Sequence, residues 1–391
     1  MELLIVTSSK EMVITNAPGA PGIKARWTSS AKSGLGRAIN PASKIAFTLS
    51  HGILNEVYYP REDIACIRDM GLIVTDGKDF FSEEKRHTRH QTKMVKDGIP
   101  AYLIRNTCVE NKYVITKEIV SNPFRNTILQ NISFKANQNA PYKLYVLLAP
   151  HLNNQGNDNA GWVGDFKGIP MLFAQKDGLA LALACSAKWL NRSVGYVGAS
   201  DGWTDLNEHK NMTWEYTNAE HGNIALTGEI DISETQNFVL ALGFGGTPSE
   251  AANHAWSSIL EGFDTAKKSY IEEWENWQQH LPDVKGKNFR ISAAVLRMNE
   301  AKSFPGGIIA SMSIPWGESK GDNDLGGYHL VWPRDLVESA SCCVLLQATD
   351  DVLRIVNYLI STQSEDGSWP QNMWLEGDAF WKGIQMDETA L

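Results

Sequence analysis

From about Trp27 to Gly245 the chain runs through short apolar segments of period near two, with no segment of helical period between them. No other feature limits its fold so strongly. The runs KYVITKEIV, NTILQNISFKA, YKLYVLLAP, LALALACS and NFVLALGFG are rich in β-branched and aromatic residues, as half-buried strands require. Turn signals separate them at Asp76-Gly77, Asp97-Gly98 and Asp177-Gly178. Many short strands joined by such turns, without crossover helices, predict a large antiparallel sandwich.

The texture changes at Gly246. Thr247 and Glu250 form a capping-box pattern, with Pro248 at the first helical position. Trp256, Ile259, Leu260, Phe263, Ala266, Tyr270, Trp274 and Trp277 then recur at three- and four-residue steps. This stripe predicts one long helix ended by Pro282, a helical linker between domains. Three more helices are expected in NFRISAAVLRMNEA, RDLVESASCCVLLQA and DDVLRIVNYLISTQ, the last beginning near Asp350. The loops between them are long and rich in Gly, Asp and Trp, a pattern that usually carries function. The expected units are an unassigned leader at 1–16, a sandwich at 17–246, the linker at 247–286 and an α-rich segment at 287–391.

A chain of 391 residues with 43% hydrophobic content has room for two or three cores. Its net charge of -9, with no basic stripe, argues against nucleic acid and suits a neutral substrate. No apolar run reaches the ~18 residues of a membrane span. Near the N-terminus Glu2 stands where a signal peptide carries a cation, and the apolar run is only Leu3 to Val6. That pattern favours the cytoplasm over export. Cys66, Cys108, Cys185, Cys342 and Cys343 lack metal-ligand spacing and read as buried free thiols. Tryptophan occurs 13 times. Trp316, Trp332, Trp369, Trp374 and Trp381 crowd the last stretch, as core packing or as stacking platforms for sugar rings.

The segment YHLVWPRDL, Tyr328 to Leu336, sets two aromatic rings, an Arg and an Asp where a loop enters a helix. A guanidinium fork and a carboxylate match adjacent sugar hydroxyls. Asp335 followed by Glu338 also fits an ordinary helix cap, and the two roles are compatible. Farther on stand Asp378, Trp381, Gln385, Asp387 and Glu388. Adjacent residues point in different directions, so Asp387 and Glu388 do not suit the paired carboxyls of a glycosidase.

The stretches APGAPGIKARWTSSAKSGLG, FTLSHGILNEVYYPREDIACIRDMGLIVTDGKDFFSEEKRH, HLVWPRD and DGSWPQNMWLEG, with GIQMDETA after it, resemble the prokaryotic glucoamylases of glycoside hydrolase family fifteen. Glucodextranases and some trehalases share that family. The resemblance runs from about Ala17 to Leu391. It implies an N-terminal β-supersandwich, a helical linker and the start of an (α/α)6 barrel. It also implies exo-acting, inverting hydrolysis of α-glucans from the non-reducing end; the sequence itself gives no cofactor requirement. The family's glucose-clamping loop matches Trp332, Arg334 and Asp335, its preceding tyrosine matches Tyr328, and its next wall matches Trp381, Gln385 and Asp387.

The resemblance places both catalytic glutamates beyond Leu391, so this chain is expected to hold no catalytic residue and to stop inside the active-site wall. The similar letters around Trp274, Glu215 and Glu318 stand in the wrong places. About three of the expected twelve barrel helices are present. Val344, Leu345, Leu346, Ile355, Val356 and Leu359 would then lack part of their packing and form an association site. A glucodextranase or trehalase of the same family, a glucan-binding fragment and half of a split enzyme are the alternatives. KGDNDLGG, Lys320 to Gly327, has a calcium-tolerant look without the register of a twelve-residue loop, and reads as a solvated turn.

Overall fold

The computed structural model describes residues 14–137, 140–286, 288–314, 321–383 and 385–387. Among these, two antiparallel sheets face each other. One has the spatial order Gly34–Arg37, Ala46–Ser50, Ile53–Tyr58, Ala65–Thr75, Lys143–Pro150, Ile224–Ile230 and Trp189–Tyr196, with Phe81–Glu83 beside Ala65–Thr75. The other runs Asn218–Gly222, Asn159–Phe166, Ile169–Lys176, Leu179–Cys185, Asn237–Gly245, Thr127–Ala136, Tyr113–Ser121, Ile99–Cys108 and Thr88–Lys96. The five quoted runs all form strands. Asp97-Gly98 and Asp177-Gly178 close two-residue hairpins, and Asp177 and Gly178 both take positive φ, 46° and 77°. Inward residues such as Phe47, Leu54, Leu148, Ile115 and Leu183 fill the space between the sheets.

Two short helices interrupt the strand-only reading, α1 at Glu84–His87 and α2 at Gly202–His209. Helix α2 is too short for its period to show, but its cap is strong: Asp201 accepts from the amides of Trp203 and Thr204.

The long stripe after Gly246 is two helices, not one: α3 at Pro248–Glu261 and α4 at Phe263–Gln278. Gly262 takes φ 90° and ψ 140°, which breaks the helix and turns the chain. Half of the capping box is present, since Thr247 Oγ1 accepts from the Glu250 amide, whereas Glu250 Oε2 accepts from the Gly246 amide one residue before the cap. Fully buried Ala251, Ala252 and Ala255 let α3 lie close on the nine-stranded sheet. A side chain at Gly243 would strike the α3 backbone. Helix α4 drives fully buried Trp274 into the same face, and its Nε1 donates to the Arg37 carbonyl at 3.0 Å.

The remaining helices are α5 at Phe289–Asn299, α6 at Pro333–Leu345 and α7 at Thr349–Thr362. Arg37 joins them to the sandwich, donating to the carbonyls of Met298 (3.0 Å) and Glu300 and pairing with Glu62 at 3.1 Å. Ile355 is buried, because α7 packs on the turn at Gly306; its expected exposure is corrected. Leu346 and Leu359 are half-buried, whereas Val344 (60%), Leu345 (79%) and Val356 (44%) face outward with Leu353 and Ile360. Cys342 is likewise exposed, unlike the other four thiols, because its neighbour Cys343 takes the inward position on α6.

Candidate functional site

The strap before α6 alternates about its own backbone. Leu330 and Val331 are buried, and His329 is fully buried between the rings of Tyr58 and Trp374. Tyr328 is 37% exposed, and Trp332 is half-buried. Backbone bonds hold the strap on both sides. Ser311 and Ala310 donate to the carbonyls of Tyr328 and Leu330, and Val331 exchanges two 2.9 Å bonds with Met373. Pro333 keeps Trp332 extended, at φ -104° and ψ 123°, and starts α6.

The helix cap is therefore Trp332, with no side-chain cap bond. Asp335 lies in the first turn, exposed, with Arg334 Nη2 3.6 Å from its Oδ2. The capping role read for Asp335 is corrected: Pro333 already fixes the helix start, and the carboxylate is left outside.

Met373 belongs to a small hairpin, Asn372–Met373 paired with Ala379–Trp381. Its turn is closed by Trp374 and Asp378, and Asn372 Oδ1 accepts from the Trp381 amide at 3.1 Å. The sandwich anchors this hairpin. Arg61 bridges Asp63 and Glu376 at 2.5 Å each, and Asp63 also accepts from the Leu375 amide. Burial pulls the Arg61 pKa down, but the two carboxylates outweigh it and raise the value above the ordinary one. Tyr358 of α7 donates to the Leu375 carbonyl at 2.9 Å.

These ties bring the two distant motifs together. Arg334 Nη1 donates to Asp387 Oδ2 at 2.7 Å across 53 positions. Trp381 is 49% exposed, and Gln385 Oε1 is buried without a hydrogen-bond partner among the described residues. Trp369 instead serves packing, donating Nε1 to the Leu359 carbonyl, and Trp374 stands edge-on to Phe380 at 5.8 Å. Trp316, Glu318, Lys320 and Glu388 lie outside the described residues. Sequence reasoning missed the supporting set of His329, Asn372, Arg61, Asp63 and Glu376. The signal was that all five fall inside quoted motifs, but nothing in those motifs linked the distant segments to one another.

Two acidic segments have structural partners. Asp322 is not solvated: it is buried, and its carboxylate accepts from the Gly156 and Asn157 amides at 2.8 and 2.7 Å. No metal-holding group of three His, Cys, Asp or Glu occurs among the described residues. Beside Trp274, Glu273 accepts from the Ile39 and Asn40 amides and Glu275 pairs with Lys96, away from the strap. Glu215 is exposed on the sandwich.

The family model for glucodextranase, domain N, matches residues 17–279. The chain belongs to the glucodextranase and glucoamylase family. It is 38% identical over 380 residues to a glucoamylase of Clostridium sp. (strain G0005), covering 96% of this chain and 54% of that relative. It also superposes on a crystal structure of a bacterial glucoamylase complexed with acarbose, with TM-score 0.92 and 36% identity. That match covers 96% of this chain and 56% of the crystallised one. The chain thus spans about half the length of the family members it matches. No helix among the described residues is long and apolar enough to cross a membrane.

Proposed function

We propose that these residues form the sandwich and the first part of the catalytic domain of an exo-acting α-glucan hydrolase that releases glucose from non-reducing ends with inversion. The single observation carrying this reading is the Arg334–Asp387 pair, which joins the two motifs across 53 positions. Arg334 and Asp335 clamp hydroxyls of the terminal glucose. Tyr328, Trp332 and Trp381 supply apolar walls, and Gln385 and Asp387 supply acceptors. A site committed to bonding chain-end hydroxyls rejects ligands that lack them, which suits exo action.

In this reading 17–246 is the sandwich domain, 247–286 the linker and 287–391 the opening part of an (α/α)6 barrel. The outward side chains of α6 and α7 are the seam on which further barrel helices pack. The acid that protonates the leaving oxygen and the base that activates water belong to residues beyond 391. The glucodextranase family model favours a second reading, cleavage of α-1,6 chains on the same clamp.

The test is Arg334→Ala in the full-length gene product. Loss of a charged donor costs about 1.5–3 kcal/mol, so kcat/KM on maltotriose should fall at least about tenfold. An unchanged kcat/KM in a folded variant would remove the clamp from the account.

A further inference from the structure

A second recess lies on the outer face of the eight-stranded sheet and shares no residue with the site above. Strand alternation makes it. Inward positions of Ala65–Thr75 and Lys143–Pro150 fill the inter-sheet core, and Gly71 and Ala149, with Ala225 of Ile224–Ile230, stand among the outward ones. Small residues there leave a hollow of about 290 Å³ between the sheet, α1 and α2.

Trp203 of α2 forms one wall. Phe81 meets its ring edge-on at 5.7 Å, and Glu83 accepts from its Nε1 at 3.1 Å, so the indole is held in place. Asp69, also in the lining, is only 8% exposed and accepts from Lys85 Nζ (3.0 Å) and Arg68 Nη2 (3.3 Å). The Nε of Arg68 is buried without a partner among the described residues. Arg86 pairs with Glu83 at 3.4 Å, and Asp201 completes the acidic set from the α2 cap.

Three cations and three carboxylates line the hollow, so it presents no net charge to attract an anion. Donors and acceptors beside an indole and an apolar floor match a hydroxyl-bearing ring with an apolar face. We propose that this recess binds one or two units of a neutral saccharide, at a site separate from the chain-end clamp. The choice of an α-glucan as its ligand rests on the function proposed above.

The experiment is calorimetric titration of the full-length gene product with a thio-linked maltotriose, which resists hydrolysis. Wild type should bind at two sites, and Arg334→Ala should keep only the recess. Arg68→Met, which leaves Asp69 paired with Lys85, should weaken the recess about tenfold or more, as loss of a charged donor predicts. Trp203→Ala should do the same while circular dichroism stays native. Titrations of both recess variants indistinguishable from wild type would overturn the recess. Binding that survives Arg334→Ala yet vanishes in the recess variants would uphold the recess and count against the clamp.

Discussion

Lys302 stands where the sandwich meets the helices, with its ammonium donating to the carbonyls of Asn40 (2.7 Å) and Ser43 rather than to a carboxylate. Burial pushes its pKa down to about 7, and Arg37 and Arg297 push the same way against Glu62 and Glu273. The folded state then binds fewer protons than the unfolded chain between about pH 7 and 10.5, so Lys302 makes stability rise with pH across that window. Urea midpoints at pH 7 and 9.5 should show this rise in wild type, and Lys302→Met should flatten it. An equal rise in both proteins would place the titration elsewhere. The site shows the same limit on reading single residues from sequence. Tyr328, Trp332, Arg334 and Asp335 were legible as a polar and aromatic group, because residue types carry that chemistry. The cap at Trp332 was signalled only by Pro333, and the Asp335 to Glu338 spacing offered a competing helix start.

At the scale of elements, hydrophobic period located all five quoted strands and the three late helices. It passed straight through Gly262, because a three- and four-residue spacing on both sides hides one residue at φ 90°. That residue decides where α4 goes. Nothing crowds a side chain there, so Gly262→Ala should act through backbone strain alone and cost about 1–3 kcal/mol. Trp274→Ala removes the buried ring that α4 places against the sheet and should cost about 3–5 kcal/mol. Chemical denaturation of both variants checks the pair. A neutral Gly262→Ala would mean the two helices tolerate fusion. Helix α2 escaped the sequence because eight residues hold barely two turns, too few for a stripe to emerge.

Across the whole molecule, the sandwich anchors the site without itself forming it. Asp63 and Arg61, on the loop after Ile53–Tyr58, fix the hairpin that carries Trp381, and Tyr58 backs the buried His329 of the strap. Sequence could not show this, since the pairs span some three hundred positions and no local pattern links them. It did reveal the order of layers, because alternation and helical period change sharply at Gly246. The outward face of α6 and α7 is the complementary feature, an exposed apolar surface that the proposed reading assigns to packing by further helices. The most direct measurement is the anomeric form of the first product made from maltotriose by the full-length gene product, followed by NMR before mutarotation. The account predicts glucose from the non-reducing end, born as the β anomer. Release of α-glucose, or of no glucose from maltotriose or isomaltotriose, would contradict it.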